Sequence, residues 1–184
     1  MYFHVAADAL LLELLIDPAC SIVFEAEPEA DGLMERAPRP VADSPFAAAP
    51  LLQSVLQGLG MAAALLAGQA WLTEHGFGVA QGRGVVFGTL VLGVMLLIWA
   101  NRDLSRPAWY GITDRNPWLW RMAAAMGLLL AATLGLPWLR QIMGMALPGV
   151  GELVAGAGML TACVVWLESM RLTGVYKRRT SLTA

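Results

Sequence analysis

Charge is scarce in this chain. Of its 184 residues only 14% are Asp, Glu, Lys or Arg, against about 25% in an ordinary soluble domain. Lysine is nearly absent: Lys177, close to the C-terminus, is the single one. That excludes a Walker A loop, whose lysine reaches the phosphates, and an internal Schiff-base or kinase lysine. The two histidines, His4 and His75, stand too far apart for an HExxH zinc motif, and no GxSxG nucleophile elbow occurs. The two cysteines, Cys20 and Cys163, both sit inside apolar runs and read as buried thiols rather than a disulfide. Net charge is −2, so no nucleic-acid partner is implied.

Apolar residues are abundant instead, at 58%, with a mean hydropathy of +0.61. Disorder is incompatible with that excess. A membrane β-barrel would alternate apolar and polar residues, whereas here the apolar runs are unbroken. An all-α membrane protein is the remaining class. A span needs about 20 residues at about 1.5 Å rise each, and five segments qualify: about 4–24, 51–73, 84–100, 117–139 and 148–170. The third is short and can extend to Asn101. The expected fold is a bundle of about five transmembrane helices over residues 1–174, with a cytoplasmic loop at 25–50 and a basic cytoplasmic tail at 175–184.

Orientation is read from the basic residues. The 25–50 loop, the 101–121 connection and the tail hold Arg36, Arg39, Arg102, Arg106, Arg115, Arg121, Arg171, Lys177, Arg178 and Arg179; the other side holds only Arg83 and Arg140. By the positive-inside rule the N-terminus is outside and the C-terminus cytoplasmic, a split that five spans also require. The first segment is not a signal peptide, because it lacks a basic n-region and contains three acids. The 25–50 loop is a surface connection, with six acids facing two arginines. Gly84 and Gly88 have the GxxxG spacing of close helix contacts. Trp99, Trp109, Trp118, Trp120, Trp138 and Trp166 lie near span ends, as an interfacial belt would.

The chemistry concentrates in the first segment. Asp8, Glu13 and Asp17 lie within one span, and an acid at mid-membrane costs about 2.5–3.5 kcal/mol. Such a helix must face protein or a wet cavity. Glu13 and Asp17 are four apart and share one face; Asp8 is rotated away. Pro18 removes an N–H and its ring clashes with the Leu14 carbonyl, so the helix is expected to bend or unwind there. Freed carbonyls beside two carboxylates would suit a hard cation, which takes oxygen ligands. A purely structural pairing of these acids is the alternative, although the other spans offer no basic residue at their depth. Cys20, sharing the Asp17 face, would instead favour a transition metal. Gln53, Ser54, Gln57 and Gln69 are expected to bond across helices, Glu152 to sit near the outer edge of the last span, and Glu168 and Arg171 to form an exposed pair at the cytoplasmic edge.

The run ELLIDPACSIVFEAEPEADGLMERAPRP resembles the sixth membrane helix and following loop of P-type cation-transporting ATPases, in the calcium-pump-like branch and with bacterial wording. FGTLVLGVM with Asn101 resembles the eighth helix, Asn116-Pro117-Trp118-Leu119 the start of the ninth and VVWLESMRL the end of the tenth. The resemblance implies that Glu13 and Asp17 are cation ligands. Ile16 stands where calcium pumps place a threonine ligand, and Val94 about where some members have a glutamate or glutamine, which implies fewer ligands than a two-site calcium pump has. The spacing from Asp31 to Met34 and the Ala37 within Arg36–Arg39 depart from the family's loop.

The DKTG phosphorylation motif of that family does not occur, nor does the PEGL stretch of its fourth helix. The chain is therefore expected to be the C-terminal membrane portion of a pump: a truncated product, a split-gene subunit or a fragment of a longer frame. Its ligand would be a transported cation, calcium or a similar hard ion, with ATP and magnesium confined to absent domains and no ATPase activity of its own. Its partners would be the lipid bilayer and the remaining N-terminal domains or subunit, and its location a bacterial plasma membrane. The rival reading is a non-enzymatic helix bundle, truncated or accessory, docked on another membrane protein; a third is a small cation- or proton-conducting carrier.

Overall fold

The computed structural model of the chain describes residue 13 and residues 21–26, 48–102 and 116–172. Among them the regular structure is entirely helical. Residues 13 and 21–25 are helical, and five helices follow: α1 (Ala48–Glu74), α2 (Val79–Arg102), α3 (Pro117–Gly135), α4 (Pro137–Met143) and α5 (Val150–Leu172). Four of these, α1, α2, α3 and α5, are long and apolar enough to cross a membrane. The expected span at 4–24 lies almost wholly outside the described residues.

Local sequence chemistry sets the helix ends. α1 stops at a Schellman motif: Gly76 takes a left-handed φ of 73°, its N–H donates to the Thr73 carbonyl at 3.2 Å, and the Phe77 N–H donates to the Leu72 carbonyl at 3.0 Å. Phe77 then packs on the cluster around the buried Leu72, the hydrophobic contact that accompanies this cap. The tightness of that turn lets α2 begin at Val79 rather than near 84, so α2 is a full-length 24-residue helix. α3 starts at Asn116, whose side chain accepts from the Trp118 N–H at 3.0 Å, with Pro117 in the first turn, where its missing N–H leaves nothing unsatisfied.

The expected span at 117–139 is broken. Leu136 is extended between Gly135 and Pro137, because a proline disfavours the α region for the residue before it. The seven residues of α4 then end at Gly144, φ 62°. There the Gly144 N–H donates to the Gln141 carbonyl and the Met145 N–H to the Arg140 carbonyl, a second Schellman cap.

α2 is the centre of the bundle. α1 and α5 pack on each other and on one side of it, and α3 packs on another. Close approach is achieved by seating side chains on glycines. On α1, a Cβ at Gly60 would overlap the Trp166 ring, and one at Gly68 would overlap the Met159 sulfur. Met61 sits over Gly93 in the same way, and Leu134 and Leu130 of α3 lie against Gly84 and Gly88. The GxxxG pair is thus a packing surface for α3, as its spacing implied. Val23 is fully buried and joins the core cluster with Ile98, Leu119 and Met126, which docks residues 21–26 at the α2–α3 end.

Candidate functional site

Apart from threonines such as Thr89 of α2 and Thr161 of α5, the polar groups of the bundle fall toward its two ends. At one end, Gln57 of α1 and Asn101 of α2 form a reciprocal amide pair. Gln57 Nε2 donates to Asn101 Oδ1 at 3.3 Å and Asn101 Nδ2 donates to Gln57 Oε1 at 3.2 Å. Asn101 also donates to the Leu97 carbonyl at 2.9 Å. Both amide oxygens are therefore occupied, and the pair acts as interhelical glue. Trp166 of α5 donates its indole N–H across to the Leu56 carbonyl of α1 at 3.0 Å. That carbonyl is reachable because Gly60, one turn on, has no side chain to shield it.

The same end receives residues 21–26. Asn116 Nδ2 donates to the Val23 carbonyl at 3.4 Å in buried surroundings, so Asn116 both caps α3 and holds residues 21–26. Glu168 and Arg171 pair at 2.6 Å and are partly buried rather than exposed. Arg121 lies over the Trp118 ring, 4.7 Å from its centroid.

The opposite end gathers the C-terminus of α1, the N-termini of α2 and α5, and α4. The Ala146 N–H donates to the Ala80 carbonyl at 3.0 Å, and Phe77 abuts Gly151. Here polar groups are left over. Gln69 Oε1 and Arg140 Nε are buried without a hydrogen-bond partner. Glu152, 9% exposed, turns its carboxylate toward Gly149 in the first turn of α5. That position favours an anion through the helix dipole. His75 is exposed, donates from Nδ1 to the Trp71 carbonyl at 2.8 Å, and stacks on Trp71.

The predicted ion ligands stand as follows. Glu13 is helical and exposed; Asp17, Pro18, Ile16 and Cys20 lie outside the described residues. Among the described residues no three His, Cys, Asp or Glu side chains gather as metal ligands. Val94 is buried in the apolar core, so α2 offers no carboxylate there, and no acid occurs between Val79 and Arg102. Cys163 is a buried free thiol. Of the amides expected to bond across helices, Gln57 does so; Ser54 back-bonds to the Pro50 carbonyl of its own helix. Trp99 packs edge-on against Trp120, and Trp118, Trp120 and Trp138 are exposed as an interfacial belt requires. Trp109 lies outside the described residues.

Four long apolar helices tied by small-residue contacts and interhelical amides define an integral membrane bundle. The family model described as cation transporting ATPase, C-terminus, matches residues 5–173. The chain belongs to that family: it is a C-terminal membrane region of a P-type ATPase and belongs with the other domains of such a pump and with the membrane. No curated protein matches it.

Proposed function

We propose that this chain supplies carboxylate ligands to the cation path of an ATP-driven pump, through Glu13 and Asp17. The observation that carries the reading is the family match over 5–173, which begins just before the one segment with two acids a single helical turn apart and a proline directly after. Two carboxylates with proline-freed carbonyls form an oxygen-rich set suited to calcium or a similar hard cation. ATP and magnesium chemistry belongs to other domains of the pump, so the chain alone neither hydrolyses ATP nor pumps. The calcium-pump-like branch, a bacterial plasma membrane, and an N-terminus outside with a cytoplasmic C-terminus complete the proposal; the last rests on the distribution of arginines.

The test is ATP-dependent calcium uptake into inverted vesicles carrying the chain assembled with the remaining ATPase domains. The Glu13→Ala, Asp17→Ala double variant is expected to reduce uptake to background while assembly persists. Uptake at the native rate in that variant overturns the ligand assignment.

A further inference from the structure

α4 has three distinct faces. Met143 is buried in the bundle core. Trp138, 58% exposed, and Ile142 point away from the protein. Arg140 lies between these two faces, half-buried, with its Nε shut off from solvent and without a hydrogen-bond partner. Among the described residues the guanidinium forms no ion pair: Glu152, the buried carboxylate at the same end, is not within salt-bridge distance of it, nor is Glu74.

The residue as a whole is half-buried, so its terminal amino groups stay open while Nε is covered. The guanidinium keeps its charge at any pH, and an anion to pair with it must come from outside the described helices. Trp138 marks where it comes from, because an exposed indole beside long apolar helices sits at headgroup depth. At that depth a bilayer presents phosphodiesters, and guanidinium is the side chain whose planar fork matches a phosphate oxygen pair. Leu136 and Leu147, both exposed on either side of α4, provide the apolar floor on which the acyl chains of such a lipid would lie.

We propose that Arg140 is a binding site for the phosphate headgroup of an anionic phospholipid, with α4 lying in the membrane interface to present it. Lipid phosphate pairs with the open terminal amino groups of Arg140, and Trp138 and Ile142 hold α4 at the depth where that phosphate lies. The site is separate from the acids of the first segment, so it stands or falls independently of the ion-ligand assignment.

The full chain, placed in nanodiscs of phosphatidylcholine with and without phosphatidylglycerol, tests this by amide hydrogen exchange and by native mass spectrometry of retained lipid. Phosphatidylglycerol is expected to protect amides of the peptide covering 136–147. Arg140→Gln should lower retention of the tightest phosphatidylglycerol by about five-fold, the effect of one basic side chain at an anionic surface. Arg140→Lys, which keeps the charge but loses the fork, should fall between the two. Protection confined to other parts of the chain overturns the site, and this readout needs no variant. Retention in Arg140→Gln equal to that of the native chain also overturns it. Displacement of the lipid by millimolar inorganic phosphate would show a free-anion site and overturn the lipid assignment.

Discussion

The two ends of the bundle are built differently. At the end where α1 begins and α2 finishes, most polar side chains are closed on one another: Gln57 with Asn101, Trp166 with the Leu56 carbonyl, Asn116 with the Val23 carbonyl and Glu168 with Arg171; the indole N–H of Trp99 is the exception, buried without a partner. At the end where α4 lies, Gln69 Oε1 and Arg140 Nε are buried without a hydrogen-bond partner. A polar group in an apolar medium either stabilises a contact or burdens the fold, depending on whether its partner is present. The first end therefore fixes helix register, and it is the end that receives residues 21–26. The second end leaves Gln69 Oε1 and Arg140 Nε unpaired by the described helices.

The sharpest way to break this contrast is to unseat Trp166. In Gly60→Ala the new methyl would overlap the indole nitrogen of Trp166 and the two ring carbons bonded to it. The ring must leave, and the hydrogen bond to Leu56 goes with it. Overpacking with a lost interhelical bond should lower stability by about 2–3 kcal/mol, measured by steric trapping of the chain in bicelles. A change within about 0.5 kcal/mol would mean that α1 and α5 are held elsewhere.

Next in size is the amide pair. Gln57→Leu leaves the Asn101 amide with only its Leu97 carbonyl contact, and should cost about 1–2 kcal/mol. The Gln57→Leu, Asn101→Leu double variant should recover part of that loss, because no amide is then left unsatisfied. Losses in the double variant equal to the sum of the singles would show that the two residues do not act together. Trp166→Phe, which keeps the ring and drops the N–H, should cost less, about 0.6 kcal/mol by the same measurement.

Four of the five expected spans were legible in the sequence because apolar length alone reveals them, as were the Asn116-Pro117 start of α3 and the Gly84/Gly88 contact; the first lies almost wholly outside the described residues. The side of each helix that meets protein was not. Lipid and protein interior are equally apolar, so the 3.6-residue periodicity that marks a buried face in water is nearly flat here. For this reason Trp166 read as one more belt residue although it is a tie to α1, and Gln57 and Gln69 looked alike although one is paired and the other orphaned. The break at Leu136 was written in Pro137, but the run of leucines around it masked the proline. The acids Glu13 and Asp17 are conspicuous in any reading, but Asp17 lies outside the described residues.

Gln69 is the smallest and most diagnostic test of the contrast. Its Oε1 is buried, with no donor in reach, and Gly82 of α2 lies beside it with no side chain to bond. An amide paired at the other end stabilises; this one should not. Gln69→Leu removes the orphaned carbonyl and keeps most of the volume, so it should leave stability unchanged or raise it by up to about 1 kcal/mol. If steric trapping instead shows a loss near that of Gln57→Leu, Gln69 has a partner in the bilayer-embedded chain. The orphaned groups would then be the Trp99 N–H at one end and Arg140 Nε at the other, and the contrast between the ends would rest on Arg140 alone.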